Sequence, residues 1–272
     1  MPVLALALVL TAAALHAGWN IAVKESGDRI VSSWSIVAVG AVLGSPLLLF
    51  RDLPAEVLPN LLASAVFEIG YLYTLAVGYE RGDLSVVYPI ARGVGVAATA
   101  LLGAIFLGDV LGPLATLAVG LVVAGIVGTA AGGNGWQRAV ATGLCISCYS
   151  VIDAQAVRRL DDPIAYVVAL FVFAATGYLP IVVKRRGWAG FRKAVAADWR
   201  RNTGVGITAI TAYGLVLAAA RIAPVGLVSA GREVSVVLGV LAGRFILKET
   251  VGPRRFVSAG LVAAGVILMA LS

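Results

Sequence analysis

Long apolar stretches follow one another along the chain, separated by short polar breaks. They fall at 3–23, 31–50, 57–79, 84–107, 113–131, 139–157, 163–183, 203–220, 225–247 and 254–271. Each runs for roughly 18 to 24 residues, enough at ~1.5 Å of rise per residue to cross a hydrocarbon core ~30 Å thick. The pattern predicts an all-α integral membrane protein of about ten transmembrane helices. The first stretch lacks a basic leading region, and its alanine-rich run passes into "HAGWN" without a cleavage site. It is therefore expected to be a retained helix rather than a signal peptide.

Composition excludes a soluble domain: 60% of the 272 residues are hydrophobic, 13% are charged, and the mean hydropathy is +0.98.

The chain also repeats itself. A shift of 140 residues lays "RGDLSVVYPIARGVGVAATALLGAIFLGDVLGPLATLAVGLVVAG" over "RIAPVGLVSAGREVSVVLGVLAGRFILKETVGPRRFVSAGLVAAG" without a gap. Arg92 meets Arg232, Gly103 meets Gly243, Asp109 meets Glu249, and Gly120 meets Gly260. Two five-helix units are predicted, over 1–132 and 136–272. With an odd number of spans per unit, the second enters the membrane from the opposite side, so the repeats are inverted. Inverted repeats are typical of secondary transporters, whose sites lie between the halves near the midplane.

Charge then sets the orientation. Of the 21 Lys and Arg residues, fourteen fall in or at the edge of breaks after odd-numbered spans, counting Arg254 and Arg255 at the mouth of the tenth stretch, four after even-numbered spans and three inside spans. The positive-inside rule makes the odd breaks cytoplasmic and places both termini outside. Segment 184–201, "KRRGWAGFRKAVAADWRR", contributes seven of these charges to a net charge of +7. Trp188, Phe191 and Trp199 interleave with them, which predicts a short helix lying on anionic lipid headgroups; nucleic acid is not expected as a partner.

The few polar residues inside spans are the candidate chemistry, because a charge at the bilayer centre costs on the order of 2.5–3.5 kcal/mol even on insertion scales. Arg92 shares a helical stripe with Tyr88, and Arg232 lies near Ser229 and Ser235. Glu233 projects ~100° away from Arg232, so one of the two is expected to face a cavity and the other a neighbouring helix. Glu68 and Tyr71 share a stripe with Ser64; His16 and Asn20 lie beside Trp19; Tyr149 and Asp153 follow Cys145 at helical spacing. Arg92, Arg232, Trp19, Asn20, Tyr88, Tyr149 and Tyr71 are the candidate substrate-binding residues. Glu68, Asp153, Glu233 and His16 are the candidates for proton coupling or ion pairing. An arginine's planar fork suits a carboxylate or phosphate, and the alternative is that the arginines bridge Glu68 and Glu233 and fix helix register.

Lys24 and Asp109, near span ends, are expected to be solvated. Cys145 and Cys148 form a CxxC on one helix face, but neither a second pair nor a nearby histidine completes a site, so helix packing is expected. No His-Glu-x-x-His or Gly-x-Ser-x-Gly motif occurs. Neither catalysis, a metal nor a cofactor is expected. Small-residue faces around Gly120, Ala124 and Gly128 and around Gly260 and Ala264 would serve packing within the protein or a homodimer.

Over essentially its whole length the chain resembles the EamA family of the drug/metabolite transporter superfamily. The resemblance rests on "LHAGWNIAVK", on "LSVVYPIARG" with "AIFLGDVLGPLATLAVGLVVAGIVG", and on "RFILKETVGPRRFVSAGLVAAGVILMA". It implies two inverted five-helix repeats, with the fifth and tenth helices at the periphery. It implies alternating-access transport of a small metabolite such as an amino acid or a sugar; the arginines narrow this to an anionic or zwitterionic compound, and Glu68 or Asp153 is the candidate proton carrier. The implied cavity lies near Trp19, Asn20, Tyr88, Arg92, Tyr149, Asp153 and Arg232. A bacterial plasma (inner) membrane is the expected location. Many relatives have cytoplasmic termini, against the charge count here. The rival expectation is a flippase or scramblase for a phosphate-bearing lipid.

Overall fold

The computed structural model describes residues 1–24, 26–81, 84–129, 136–235, 238 and 253–271. The described chain is helical throughout: α1 (Val3–Lys24), α2 (Arg29–Gly44), α3 (Leu58–Arg81), α4 (Leu84–Leu107), α5 (Pro113–Thr129), α6 (Trp136–Val157), α7 (Ile164–Ala197), α8 (Trp199–Ala220), α9 (Val225–Gly231) and α10 (Pro253–Ala270). Two short 3-10 turns, Ser45–Leu49 and Ala55–Val57, join α2 to α3.

Local sequence accounts for the ends. Asp28 caps α2, its carboxylate accepting the backbone N–H groups of Ile30 and Val31 at 3.1 Å each. Pro113 opens α5, where its missing N–H costs nothing. Gly108, at φ 66°, supplies the left-handed turn that ends the passage out of α4.

Six stretches are long and apolar enough to cross a bilayer: Arg29–Leu49, Ala55–Gly78, Ile90–Leu107, Trp136–Val157, Ile164–Ala197 and Trp199–Ala220. Val3–Trp19 and Pro113–Gly125 are apolar but shorter. The expected count of ten is therefore not reached on length among the described residues. About half of the span expected over 225–247 lies outside them.

The packing pairs helices across the chain. α3 lies against α6 and α1 against α8; α4 lies against α6 and α1 against α9; α3 lies against α7 and α2 against α8. α2 packs on α7, α4 on α9 and α5 on α10. Each pair thus has a counterpart five helices on, or is its own counterpart. Glycines permit the closest approaches. A Cβ on Gly125 would sit 2.7 Å from the carbonyl oxygen of Ser258, and one on Gly265 would sit 2.7 Å from that of Ala118. The faces carrying Gly120 and Gly260 are open, with nothing within 4 Å of an added Cβ.

Polar ties gather at the two ends of the bundle. At one, Arg186 pairs with Asp28 at 2.8 Å, Arg185 with the Tyr73 hydroxyl, and the Gly27 N–H with Asp198 at 3.3 Å. At the other, Arg51 pairs with Asp162, Asn60 donates to Gln155 at 2.9 Å, and Arg158 holds Asp109 at 2.8 Å. Asp109, expected to be solvated, is instead held in an ion pair with its side chain 10% exposed. The basic segment is helical on both sides of Gly187, whose φ of 68° bends α7. Trp188 and Trp199 are exposed, but Phe191 is buried against Trp34, with ring centroids 5.0 Å apart. Phe191 therefore anchors the segment to the bundle rather than presenting itself to a headgroup.

Candidate functional site

Arg92 and Arg232, equivalent under the 140-residue shift, meet different fates because their backbones differ. α4 continues as helix through Arg92, whereas α9 ends at Gly231 and Arg232 begins a turn. From α4, the Arg92 guanidinium grips the Glu233 carboxylate with two donors, Nε to Oε2 at 2.9 Å and Nη2 to Oε1. Both side chains are buried. Arg232, one residue earlier, turns the other way and lines a cavity. Arg232 thus lines the cavity, while Glu233 faces α4.

The cavity is about 40 Å³ and lies among α1, α2, α3, α6, α7, α8 and Arg232. Only a few water molecules would fit. His16, Trp19, Glu68, Tyr71, Tyr149 and Arg232 line it. Two of its polar atoms are buried without a protein partner: Oε2 of Glu68 and the indole Nε1 of Trp19. His16 meets the Trp19 ring edge-on at 4.6 Å. The aromatic wall continues from Tyr71 to Tyr149 (5.8 Å), Tyr149 to Tyr213 (6.0 Å) and Tyr213 to Phe171 (6.2 Å).

Glu68 and Arg232 place a carboxyl group and a guanidinium on the wall of one cavity. No hydrogen bond or ion pair engages the Arg232 guanidinium among the described residues. Trp19 supplies a free donor, and the tyrosines a shaped, largely apolar surface.

Three further candidates stand behind the wall. Arg92 and Glu233 neutralise each other. Asp153, fully buried in α6, accepts the Tyr166 hydroxyl at 2.5 Å and that of Tyr213, so it fixes two tyrosines instead of meeting the cavity. The side chains of Asn20 and Tyr88 lie outside the described residues. The two thiols, Cys145 and Cys148, are free, and Cys145 Sγ packs 3.1 Å from where a Cβ on Gly70 would lie.

Sequence reasoning missed Tyr213, Phe171 and Tyr166. For Tyr213 a signal exists, since the 140-residue shift sets it over Tyr73. Tyr166 and Phe171, in an apolar stretch without a polar stripe, give none.

Residues 136–271 match the EamA-like transporter family. The chain belongs to that family, and with its apolar helices it is an integral membrane protein of the drug/metabolite transporter type. A solved structure, described only as a crystal structure of a protein, superimposes with a TM-score of 0.73 over 98% of this chain and 96% of its own. At 19% identity that likeness concerns the fold alone. No curated protein matches the chain.

Proposed function

We propose that this protein is a secondary transporter for a small zwitterionic metabolite, such as an amino acid, and that it works by alternating access between two inverted five-helix units, 1–132 and 136–272. Ten membrane spans, termini outside and a bacterial plasma membrane complete the proposal. The reciprocal helix pairs and the matched contacts of Gly125 and Gly265 support the two-unit arrangement.

One observation carries the substrate class. Of two arginines equivalent by repeat, Arg92 is neutralised by Glu233, while Arg232 faces the cavity opposite an acid whose own oxygen is unpartnered. The ligand carboxylate would take the fork of Arg232, and its ammonium group would take Glu68. Burial makes both contacts worth more than at a surface, and leaving either unmade is costly. Glu68 is also the candidate coupling acid, because an unengaged carboxyl on the wall can exchange a proton with a passing water. At about 40 Å³ the cavity is too small for an amino acid, so alternating access requires the halves to part to admit one.

The test is a thermal-stability screen of the detergent-purified protein against carboxylate, phosphate, zwitterionic and cationic metabolites. Preferential binding raises the melting temperature by mass action. Zwitterions should give the largest shift, and Arg232→Ala should erase it in a protein that still melts cooperatively. Shifts with cations alone, or shifts unchanged in Arg232→Ala, would overturn the assignment. Phosphate-specific shifts accompanied by headgroup flipping in vesicles would replace it with lipid handling.

A further inference from the structure

A second, smaller cavity of about 10 Å³ shares Tyr213, Val216 and Arg232 with the first and continues toward Ala220 and Val225. Directly at those two residues lies a polar cluster. Arg158 gives Nη1 to Asp109 Oδ1 at 2.8 Å, Nη2 to Asp109 Oδ2 at 3.1 Å, Nε to the Ala220 carbonyl at 2.9 Å and Nη2 to the Ala223 carbonyl at 3.2 Å. Asp109 Oδ2 also accepts the Val225 backbone N–H at 2.7 Å. Beneath these bonds, Val151, Ala154, Ala220 and Val225 form an apolar plug with Leu102 and Leu107.

We propose that this Asp109–Arg158 clamp is the gate closing the substrate path at the end of the bundle that carries Arg51 and Asp162. The proposal rests on the transport function above.

Three features distinguish the clamp from a static brace. It joins the first half of the chain to the second, the units that must separate for access. It borders the path itself: Ala220 and Val225 each take one of its bonds and line the inner cavity. The Asp28–Arg186 tie at the opposite end also joins the halves, but the backbone groups its carboxylate holds, those of Ile30 and Val31, belong to residues that line neither cavity. Lastly, the Arg158 side chain is 25% exposed, so water can replace its bonds as they break, at small net cost. The buried Arg92–Glu233 pair has no such exchange available.

Sequence and packing favour the closed geometry. The turn at Gly108 returns Asp109 toward α4, where its N–H bonds the Gly103 carbonyl at 3.2 Å. Gly103 leaves the necessary space, since a Cβ there would lie 2.6 Å from a Val225 methyl and 3.3 Å from Asp109 Oδ2.

The test uses Ser229→Cys, a buried position on the inner cavity, in the full chain with Cys145 and Cys148 replaced by alanine and reconstituted in liposomes. A charged, membrane-impermeant thiosulfonate reports its accessibility. With the clamp intact, labelling should be slow. Losing a charge-assisted bond shifts a closed–open equilibrium by about tenfold or more, so Asp109→Asn should accelerate labelling by at least that factor. The milder Arg158→Lys, which keeps the charge but loses the fork, should fall between, and Gly103→Ala should accelerate labelling without touching a charge. The acceleration should come from one face of the membrane only. Equal rates in all variants, or equal acceleration from both faces, would overturn the gate. No substrate enters this assay, so its failure is separate from a failure of the thermal screen.

Discussion

Arg92 and Arg232 show how much a single residue's neighbours decide. Removing Arg92 strands Glu233, 1% exposed, without its counter-charge, and breaking one partner of such a pair costs about 3–5 kcal/mol. Arg92→Ala should therefore lower the melting temperature sharply, whereas Arg92→Met with Glu233→Leu should recover most of that loss. Arg232→Ala should leave melting nearly unchanged while abolishing ligand protection. If instead the two single alanine variants melt alike, the division of roles between the arginines is wrong. Asp153 belongs with Arg92. Asp153→Ala would leave the Tyr166 and Tyr213 hydroxyls without their acceptor, at about 1–3 kcal/mol for each that stays buried. Adding Tyr166→Phe to that variant should restore part of its melting temperature. The 140-residue shift marks both arginines as special and makes them look alike. What separates them is a helix break after Gly231, which no proline or composition change announces.

At the scale of elements, α5 and α10 show a similar limit. Their apolar patterns are so uniform that two small-residue stripes compete for the contact, one through Gly120 and Gly260 and one through Gly125 and Gly265. The structure uses the second, and the first faces outward. Periodicity reveals that a close-packing face exists, but only the partner helix chooses which. Gly125→Val would push a methyl-bearing carbon into the Ser258 carbonyl, and Gly265→Val into that of Ala118. Each should cost about 1–3 kcal/mol, as overpacking does. The two should cost similar amounts, since the contacts are reciprocal, and Gly120→Val should be close to neutral. Thermal melting of the three purified variants checks this, and equal losses at Gly120 and Gly125 would contradict the assignment. Element positions were the most legible feature: the expected starts at 84, 113 and 225 coincide with α4, α5 and α9. The loop after α4 was the least legible, because Asp109 acquires its role from Arg158, forty-nine residues away in the chain.

For the whole molecule, the two sets of end ties turn the charge count into a single geometric alternative. The break after α1, Tyr73 of α3 and the basic segment formed by the end of α7 and the start of α8 meet at one end through Asp28–Arg186, Arg185–Tyr73 and Gly27–Asp198. The segments carrying Arg51, Asp109, Arg158 and Asp162 meet at the other. The basic segment cannot change sides alone, because Phe191 and Arg186 fasten it to α2 and its leading turn. Either the whole bundle sits with the basic segment inside or the whole bundle is inverted. Fourteen basic residues against four favour the first, and near an anionic inner leaflet each basic residue adds about 1 kcal/mol. In a protein without native cysteines, Trp188→Cys should label with an impermeant thiol reagent only from the cytoplasmic side, and Asp161→Cys only from outside. The clamp of Asp109 and Arg158 would then guard the external mouth of the path. The reverse labelling pattern would invert the molecule, make the clamp a cytoplasmic gate, and put the seven-charge segment where the positive-inside rule says it should not be.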